Sequence, residues 1–113
     1  MVIRVLQIVA AVGTIATGFV SLFWPNAVRG FTGLSPEGGR GITEIRAVLG
    51  AFFVALGAAP LILNEPAAYR MLGIAYLAVG VTRAISMFVD KSVMQSNIIS
   101  LVVEIIFGVI LVL

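Results

Sequence analysis

Apolar residues fall into four long stretches along the chain, separated by short segments that contain prolines, glycines or charges. The stretches cover residues 2–24, 42–63, 66–89 and 93–113. Each reaches the ~20 residues that an α-helix needs to cross about 30 Å of hydrocarbon. The pattern therefore predicts an all-α fold, a four-transmembrane-helix antiparallel bundle with short loops, in a single domain of residues 1–113.

Prolines and glycines predict where these helices end. Pro25 ends the first helix, because proline cannot donate to the helical hydrogen-bond ladder and disfavours helical geometry in the residue before it. Residues 26–41 contain five glycines and are predicted to form the longest loop. A tight turn before Pro66 lets that proline open the third helix. The fourth helix is expected to begin just after Ser92.

Composition supports a membrane environment. Hydrophobic residues make up 61% of the chain and charged residues 11%, against about 25% charged residues in a soluble domain. The first stretch ends in an aromatic pair and Pro25 instead of a small-residue cleavage site, so we interpret it as a retained helix and not a signal peptide. The lipid bilayer is thus the first expected partner.

The chain contains neither cysteine nor histidine. Disulfides, thiolate metal sites and the commonest general base and metal ligand are therefore excluded. We expect no metal, no cofactor and no enzymatic activity. Since the chain also has no basic tail or aromatic-basic surface, nucleic acid is not an expected partner.

Two charged residues lie well inside the predicted helices. Glu104 is nine residues from the end of the chain, or about 14 Å along a helix, and Arg83 is about 10 Å below the surface at which the fourth helix begins. Helical side chains lean toward their own N-terminus, so on antiparallel neighbours these two point at each other. An unpaired charge at the bilayer centre costs about 2.5–3.5 kcal/mol. We therefore predict a buried Arg83–Glu104 pair.

Polar and small residues recur at steps of three and four in three of the helices, which places each set on one face. The sets are Gln7, Ala10, Thr14, Thr17 and Ser21; Tyr69, Gly73, Tyr76, Gly80 and Arg83; and Asn97, Ser100, Glu104 and Gly108. Such faces either pack helices closely or line a site. We expect all three to face the interior.

Glu44 and Arg46 add two charges where the second helix begins. They either continue inward to Arg83 and Glu104 as a graded, net-neutral series, or lie at the interface and reach water. The candidate binding or ion-pair residues are therefore Glu44, Arg46, Tyr76, Arg83 and Glu104. For the inner pair, a structural role and a ligand or proton role both stay open.

Several of these residues lie in recognisable motifs. The stretch Thr43-Glu44-Ile45-Arg46-Ala47-Val48-Leu49-Gly50 resembles the Asn-Glu-Ile-Arg-Ala-x-x-Gly-Gly signature of a bacterial family of four-helix membrane proteins known only as a domain of unknown function. Thr43 and Ala51 depart from that signature. Gly80 to Ser86 and Glu104 are similar to the family's later motifs, and the layout is also similar to DoxX-like proteins. The resemblance implies a four-helix fold in the bacterial cytoplasmic membrane, points to Glu44, Arg46, Arg83 and Glu104, and implies no activity.

Three functions fit these residues. The first is an accessory or scaffold subunit that packs against a larger membrane protein or against copies of itself. The second is a transporter or binder of a small amphiphilic or anionic molecule, with Arg83 as counter-ion. The third, an enzyme using Glu44 or Glu104, has no nucleophile to support it. Counting Lys and Arg favours the loops at 25–41 and 90–92 as cytoplasmic.

Overall fold

The computed structural model describes residues 1–113, and every regular element in it is helical. The elements are α1 (Val2–Phe23), a 3₁₀ turn (Pro25–Ala27), α2 (Val28–Thr32), α3 (Gly38–Glu44), a π-helical segment (Ile45–Ala51), α4 (Phe52–Leu63), α5 (Pro66–Val89) and α6 (Gln95–Val112). Since α3, the π-helical segment and α4 follow one another without a break, they form one long helix, Gly38–Leu63. The predicted all-α class is confirmed.

Four helices are long and apolar enough to cross a membrane: Val2–Phe23, Gly38–Leu63, Pro66–Val89 and Gln95–Val112. Each contains at least 18 residues, and many of their large apolar side chains are exposed. A soluble protein rarely exposes so much contiguous apolar surface. Length and composition thus indicate a multi-pass membrane protein.

The segment after α1 is more helical than the sequence predicted. The expected loop 26–41 contains most of the 3₁₀ turn, all of α2 and the start of the second long helix, which begins at Gly38 instead of residue 42. Gly33 ends α2 with a φ of 76°, a left-handed conformation that glycine adopts without strain. A Cβ at Gly41 would lie 3.0 Å from the Cα of Pro36. Because Gly41 has no side chain, Pro36 can approach the first turns of this helix closely.

The chain divides into two compact units, and the first contains Met1–Gln7 and Glu65–Leu113. Its main feature is the antiparallel pair α5 and α6. A Cβ at Gly73 would lie 2.8 Å from the Cβ of Leu111, and a Cβ at Gly108 would lie 2.6 Å from the Leu77 side chain. These glycines let the two helices approach closely, as small residues do in membrane proteins.

The second unit, Ile8–Asn64, packs the rest of α1 antiparallel to the helix Gly38–Leu63. A Cβ at Gly57 would lie 2.5 Å from the carbonyl oxygen of Ala11, and a Cβ at Gly18 would lie 2.6 Å from that of Gly50. No side chain fits at these crossings without moving a backbone. α1 therefore packs closely against this helix, but the crossings lie at Ala11 and Gly18, which are outside the polar and small face predicted for α1.

The hydroxyl groups on α1 bond within their own helix. Thr14, Thr17 and Ser21 each donate to the carbonyl four residues earlier, at 2.9, 3.0 and 3.1 Å. Thr14 and Ser21 are buried, as the spacing predicted, whereas Thr17 is exposed. These bonds satisfy polar groups that would otherwise be costly to place in an apolar environment.

The turn predicted before Pro66 is present. Asn64 ends α4 with a φ of 52°, in the left-handed region that asparagine tolerates, and Glu65 is extended. Pro66 is then the first residue of α5. At the other end of α5, Met94 and not Ser92 precedes the first residue of α6.

Candidate functional site

Arg83 of α5 and Glu104 of α6 form the ion pair that their predicted depths indicated. Arg83 Nε donates to Glu104 Oε1 at 2.8 Å, and Arg83 Nη2 donates to Glu104 Oε2 at 2.8 Å. The planar guanidinium thus meets the carboxylate through two bonds at once. Bidentate, charge-assisted pairs of this kind are roughly twice as strong as neutral hydrogen bonds.

Asn97 is a third member of this cluster. Arg83 Nη1 donates to Asn97 Oδ1 at 2.9 Å, and Asn97 Nδ2 donates to the carbonyl oxygen of Ser92 at 2.8 Å. The sequence placed Asn97 on the same face as Glu104 but did not assign it a partner. Its position two helical turns before Glu104 is the signal that identifies it. A single arginine therefore holds α6 at two levels and, through Asn97, the loop before it.

The two charges differ in their exposure. The Glu104 side chain is 11% exposed and the Arg83 side chain 29%. Arg83 lines a cavity of about 520 Å³ together with other polar residues. These are Thr82, Ser86, Asp90, Ser92 and Asn97. Arg83 thus lines the cavity, whereas Glu104 does not.

The chemistry of this cavity depends on how many N–H groups of the Arg83 guanidinium already have a partner. Arg83 has five N–H groups, and three of them donate to Glu104 and Asn97. Glu104 cancels the positive charge, so the cavity presents hydrogen-bond donors and hydroxyls without a net charge from the pair. Asp90 adds a carboxylate at the cavity's edge. The arrangement suits a polar or zwitterionic group better than a bare anion.

Tyr76 lies two turns before Arg83 on α5, on the face that the sequence predicted. Its ring meets the Phe107 ring edge to face, with centroids 5.6 Å apart. Tyr76 is partly buried. Its position as a packing residue between α5 and α6 is clear, and its predicted role in binding stays a prediction.

Glu44 and Arg46 belong to the second unit. Glu44 accepts a hydrogen bond from Arg40, four residues earlier on the same helix, and both side chains are largely exposed. Arg46 is exposed on the π-helical segment. The local partner of Glu44, which the sequence interpretation missed, supports the alternative in which these are charges that reach water. A Glu four residues after an Arg is the pattern that would have found it.

The Glu-Ile-Arg motif spans the boundary between α3 and the π-helical segment. Glu44 ends α3, Ile45 is buried, and Gly50 is buried within the π-helical segment. A Cβ at Gly50 would lie 2.9 Å from the Cα of Leu22. The motif thus combines a helical irregularity with a close helix crossing, and its glycine is needed for that crossing.

The family model described as "Domain of unknown function (DUF4345)" matches residues 2–113. No curated protein and no solved structure matches the chain, and the similarity to DoxX-like proteins stays an expectation. Because the family match covers all but the first residue, the chain belongs to the DUF4345 family.

Proposed function

We propose that this protein is a non-enzymatic accessory or scaffold subunit of the bacterial cytoplasmic membrane, acting in a complex with a larger membrane protein or with copies of itself. The observation that carries the proposal is that the charges inside the helices are paired with each other. Both oxygens of Glu104 accept from Arg83, and the third guanidinium nitrogen donates to Asn97. These hydrogen bonds connect α5 to α6.

A carboxylate with both oxygens already hydrogen-bonded is poorly suited to proton transfer. A general acid or base must reach the proton that it moves, but the Glu104 side chain is only 11% exposed and both its oxygens are occupied. The pair is well suited to fixing the register of α5 against α6. Sliding one helix by a turn, about 5.4 Å, would separate Arg83 from both Glu104 and Asn97.

The locked helix pair presents apolar outer faces. Ile74, Val81, Ile85 and Phe88 are exposed along α5 at spacings of seven, four and three. These spacings place them on one face of the helix. Lipid tails or another membrane helix would cover such a face, and a fixed helix register would keep its shape constant for a protein partner.

The absence of cysteine makes this proposal directly testable by crosslinking in membranes. Single cysteines are introduced at exposed positions along α5 and α6, for example Ile85→Cys, with Leu72→Cys as a buried control at 2% exposure. Oxidation should link two copies through one helical face only, and a thiol-reactive photocrosslinker on the same cysteine should link a copy to a partner through that face. Light scattering and mass spectrometry of protein purified in mild detergent identify what is linked. The accessory role would be refuted if the purified chain is monomeric, carries no other protein, and forms no crosslink at any position.

A second function is favoured by the cavity beside Arg83. Its volume of about 520 Å³ is within the range of about 300–1,000 Å³ that is typical of small-molecule sites. In this alternative, the protein binds or carries a small amphiphilic molecule whose polar group contacts Arg83 and Ser86, with the ion pair as the fixed wall of the site.

Ser86→Leu tests that alternative, because it fills the cavity without removing a member of the ion pair. Native mass spectrometry should detect a bound small molecule on the parent protein and on the control Ile85→Leu, but not on Ser86→Leu. If no variant carries a small molecule, or all carry it equally, the cavity is not a binding site.

A further inference from the structure

A second cavity lies in the first unit, at the end where α1 and α5 begin and α6 ends. Its volume is about 350 Å³, and its polar lining consists of Arg4, Gln7 and Arg70. Pro66 and residues of both chain ends complete it. None of Arg83, Asn97 and Glu104 lines this cavity, so the cavity is a separate site.

Arg4 has an unusual environment. Its guanidinium carbon lies 4.7 Å from the centre of the Tyr69 ring, and Tyr69 is 2% exposed. Arg4 Nη1 is the one buried side-chain nitrogen or oxygen in residues 1–113 that has no hydrogen-bond partner. The ring face attracts the cation but offers no lone pair in the plane of the guanidinium. A buried N–H donor of this kind calls for an acceptor.

Gln7, one turn after Arg4, does have hydrogen-bond partners. Gln7 Nε2 donates to the carbonyl oxygens of Ile110 and Leu111 at 3.1 and 3.4 Å. Both are among the last four carbonyls of α6, which have no acceptor role inside their own helix. Gln7 therefore fastens the start of α1 to the end of α6.

The charge of the cavity favours an anion. Arg4 and Arg70 supply two positive charges, and the one negative group that lines the cavity is the main-chain carboxylate of Leu113, because no acidic side chain does so. The first turn of α5, which begins at Pro66, adds the partial positive charge of a helix N-terminus. Along their helices Arg4 and Arg70 lie about 3 Å and about 6 Å from the first residue. In a helix that spans the bilayer, residues this close to the helix end lie near the lipid headgroups.

We infer that this cavity binds the phosphate group of an anionic ligand, with Arg4 and Arg70 as its two arginines. A guanidinium presents paired N–H groups that match phosphate oxygens, and both Arg4 and Arg70 line the cavity. The phosphate belongs either to the headgroup of an anionic lipid or to a small soluble phosphate compound. Both sources share the same chemistry, and the experiment separates them.

Binding is measured on purified protein in a neutral detergent, by native mass spectrometry and by ligand-dependent thermal stability. The probes are phosphatidic acid, phosphatidylcholine as the zwitterionic comparison, and inorganic phosphate. The parent and all variants carry the same short C-terminal extension, which moves the main-chain carboxylate of Leu113 away from the cavity. The variants are Arg4→Gln and Arg70→Gln, and Arg29→Gln is the control because it removes an exposed charge outside this cavity.

Phosphatidic acid should bind the parent and the Arg29→Gln control equally, and Arg4→Gln should weaken it by at least about tenfold, as expected for the loss of a hydrogen-bonded charge. Binding of phosphatidic acid without inorganic phosphate identifies a lipid headgroup, and binding of both identifies a general phosphate site. Should Arg4→Gln fail to fold, Arg70→Gln, whose side chain is exposed, decides in its place. Equal binding of phosphatidylcholine, or equal phosphatidic acid affinity in the Arg70→Gln and Arg29→Gln variants, overturns the inference.

Discussion

The Arg83–Glu104 pair allows a quantitative test of what holds α5 against α6. Arg83→Gln, Glu104→Gln and the double variant complete a double-mutant cycle, in which the double change removes both charges together. Glutamine preserves much of the side-chain length and can still hydrogen-bond. We expect each single change to destabilise the protein more than the double change does.

The magnitudes follow from the geometry. Breaking a buried pair by removing one partner costs about 3–5 kcal/mol. Glu104→Gln should cost about 3 kcal/mol, the lower end of that range, because the Arg83 side chain is 29% exposed and lines the cavity. Arg83→Gln leaves a carboxylate that is 11% exposed. Its cost should therefore lie within the full range of about 3–5 kcal/mol.

The double variant leaves two neutral amides that can bond to each other, and we expect it to lose about 1–2 kcal/mol. The resulting coupling energy is at least about 2 kcal/mol. That value is well above the average of about 0.6 kcal/mol measured for interhelical hydrogen bonds in a membrane protein. A coupling energy of at least about 2 kcal/mol would therefore indicate a charge-assisted, bidentate bond, whereas a value near about 0.6 kcal/mol would indicate an ordinary interhelical bond.

The assay is unfolding by SDS in mixed micelles, followed by circular dichroism, with thermal aggregation as a second measurement. Arg46→Gln and Glu44→Gln are the matched controls, since they make the same chemical changes at exposed positions. Both should change the unfolding free energy by less than about 1 kcal/mol. Additive single changes, with the double variant as unstable as their sum, would refute the pairing and the depth reasoning that predicted it.

Three further outcomes are expected from the packing and the polar contacts. Gly57→Val should abolish stable folding in the same SDS assay, because a Cβ there would lie 2.5 Å from a backbone oxygen, whereas Gly30→Ala, with nothing within 4 Å, should be nearly neutral. Asn97→Ala should cost about 1 kcal/mol by removing one acceptor of Arg83; no loss would mean that the third contact is dispensable. Gln7→Leu should cost a similar amount and raise hydrogen exchange at the end of α6, and unchanged exchange there would contradict its capping role.

Much of the fold was predictable from the sequence because the apolar stretches are long and the breaks are strong. Local sterics alone end a helix at a left-handed residue and restrict proline to the first turn of a helix. This is why the start of the third long helix at Pro66 was predicted correctly. The glycine-rich stretch 26–41 misled the prediction. Glycine disfavours a helix by about 1 kcal/mol per residue, and tertiary contacts such as that of Gly41 with Pro36 can outweigh so small a preference.

The Arg83–Glu104 pair was predictable for a different reason. Only a few charged residues lie within the apolar stretches, and in a low-dielectric region each charge requires a partner. Helical rise then limits which charges can meet. Glu44 shows the limit of this reasoning, because it has a partner on its own helix, Arg40, and lies near enough to the helix start to reach water.

The sequence by itself determined that the chain is helical, that four of its helices are long and apolar enough to cross a membrane, and that Arg83 and Glu104 need each other. These properties depend on hydrophobicity and helical geometry, which act over a few neighbouring residues. Only the tertiary structure decided that Asn97 completes the cluster and that Gln7 reaches carbonyl groups more than a hundred residues away. Long polar side chains have many rotamers, and their partners are selected by which helix faces pack together.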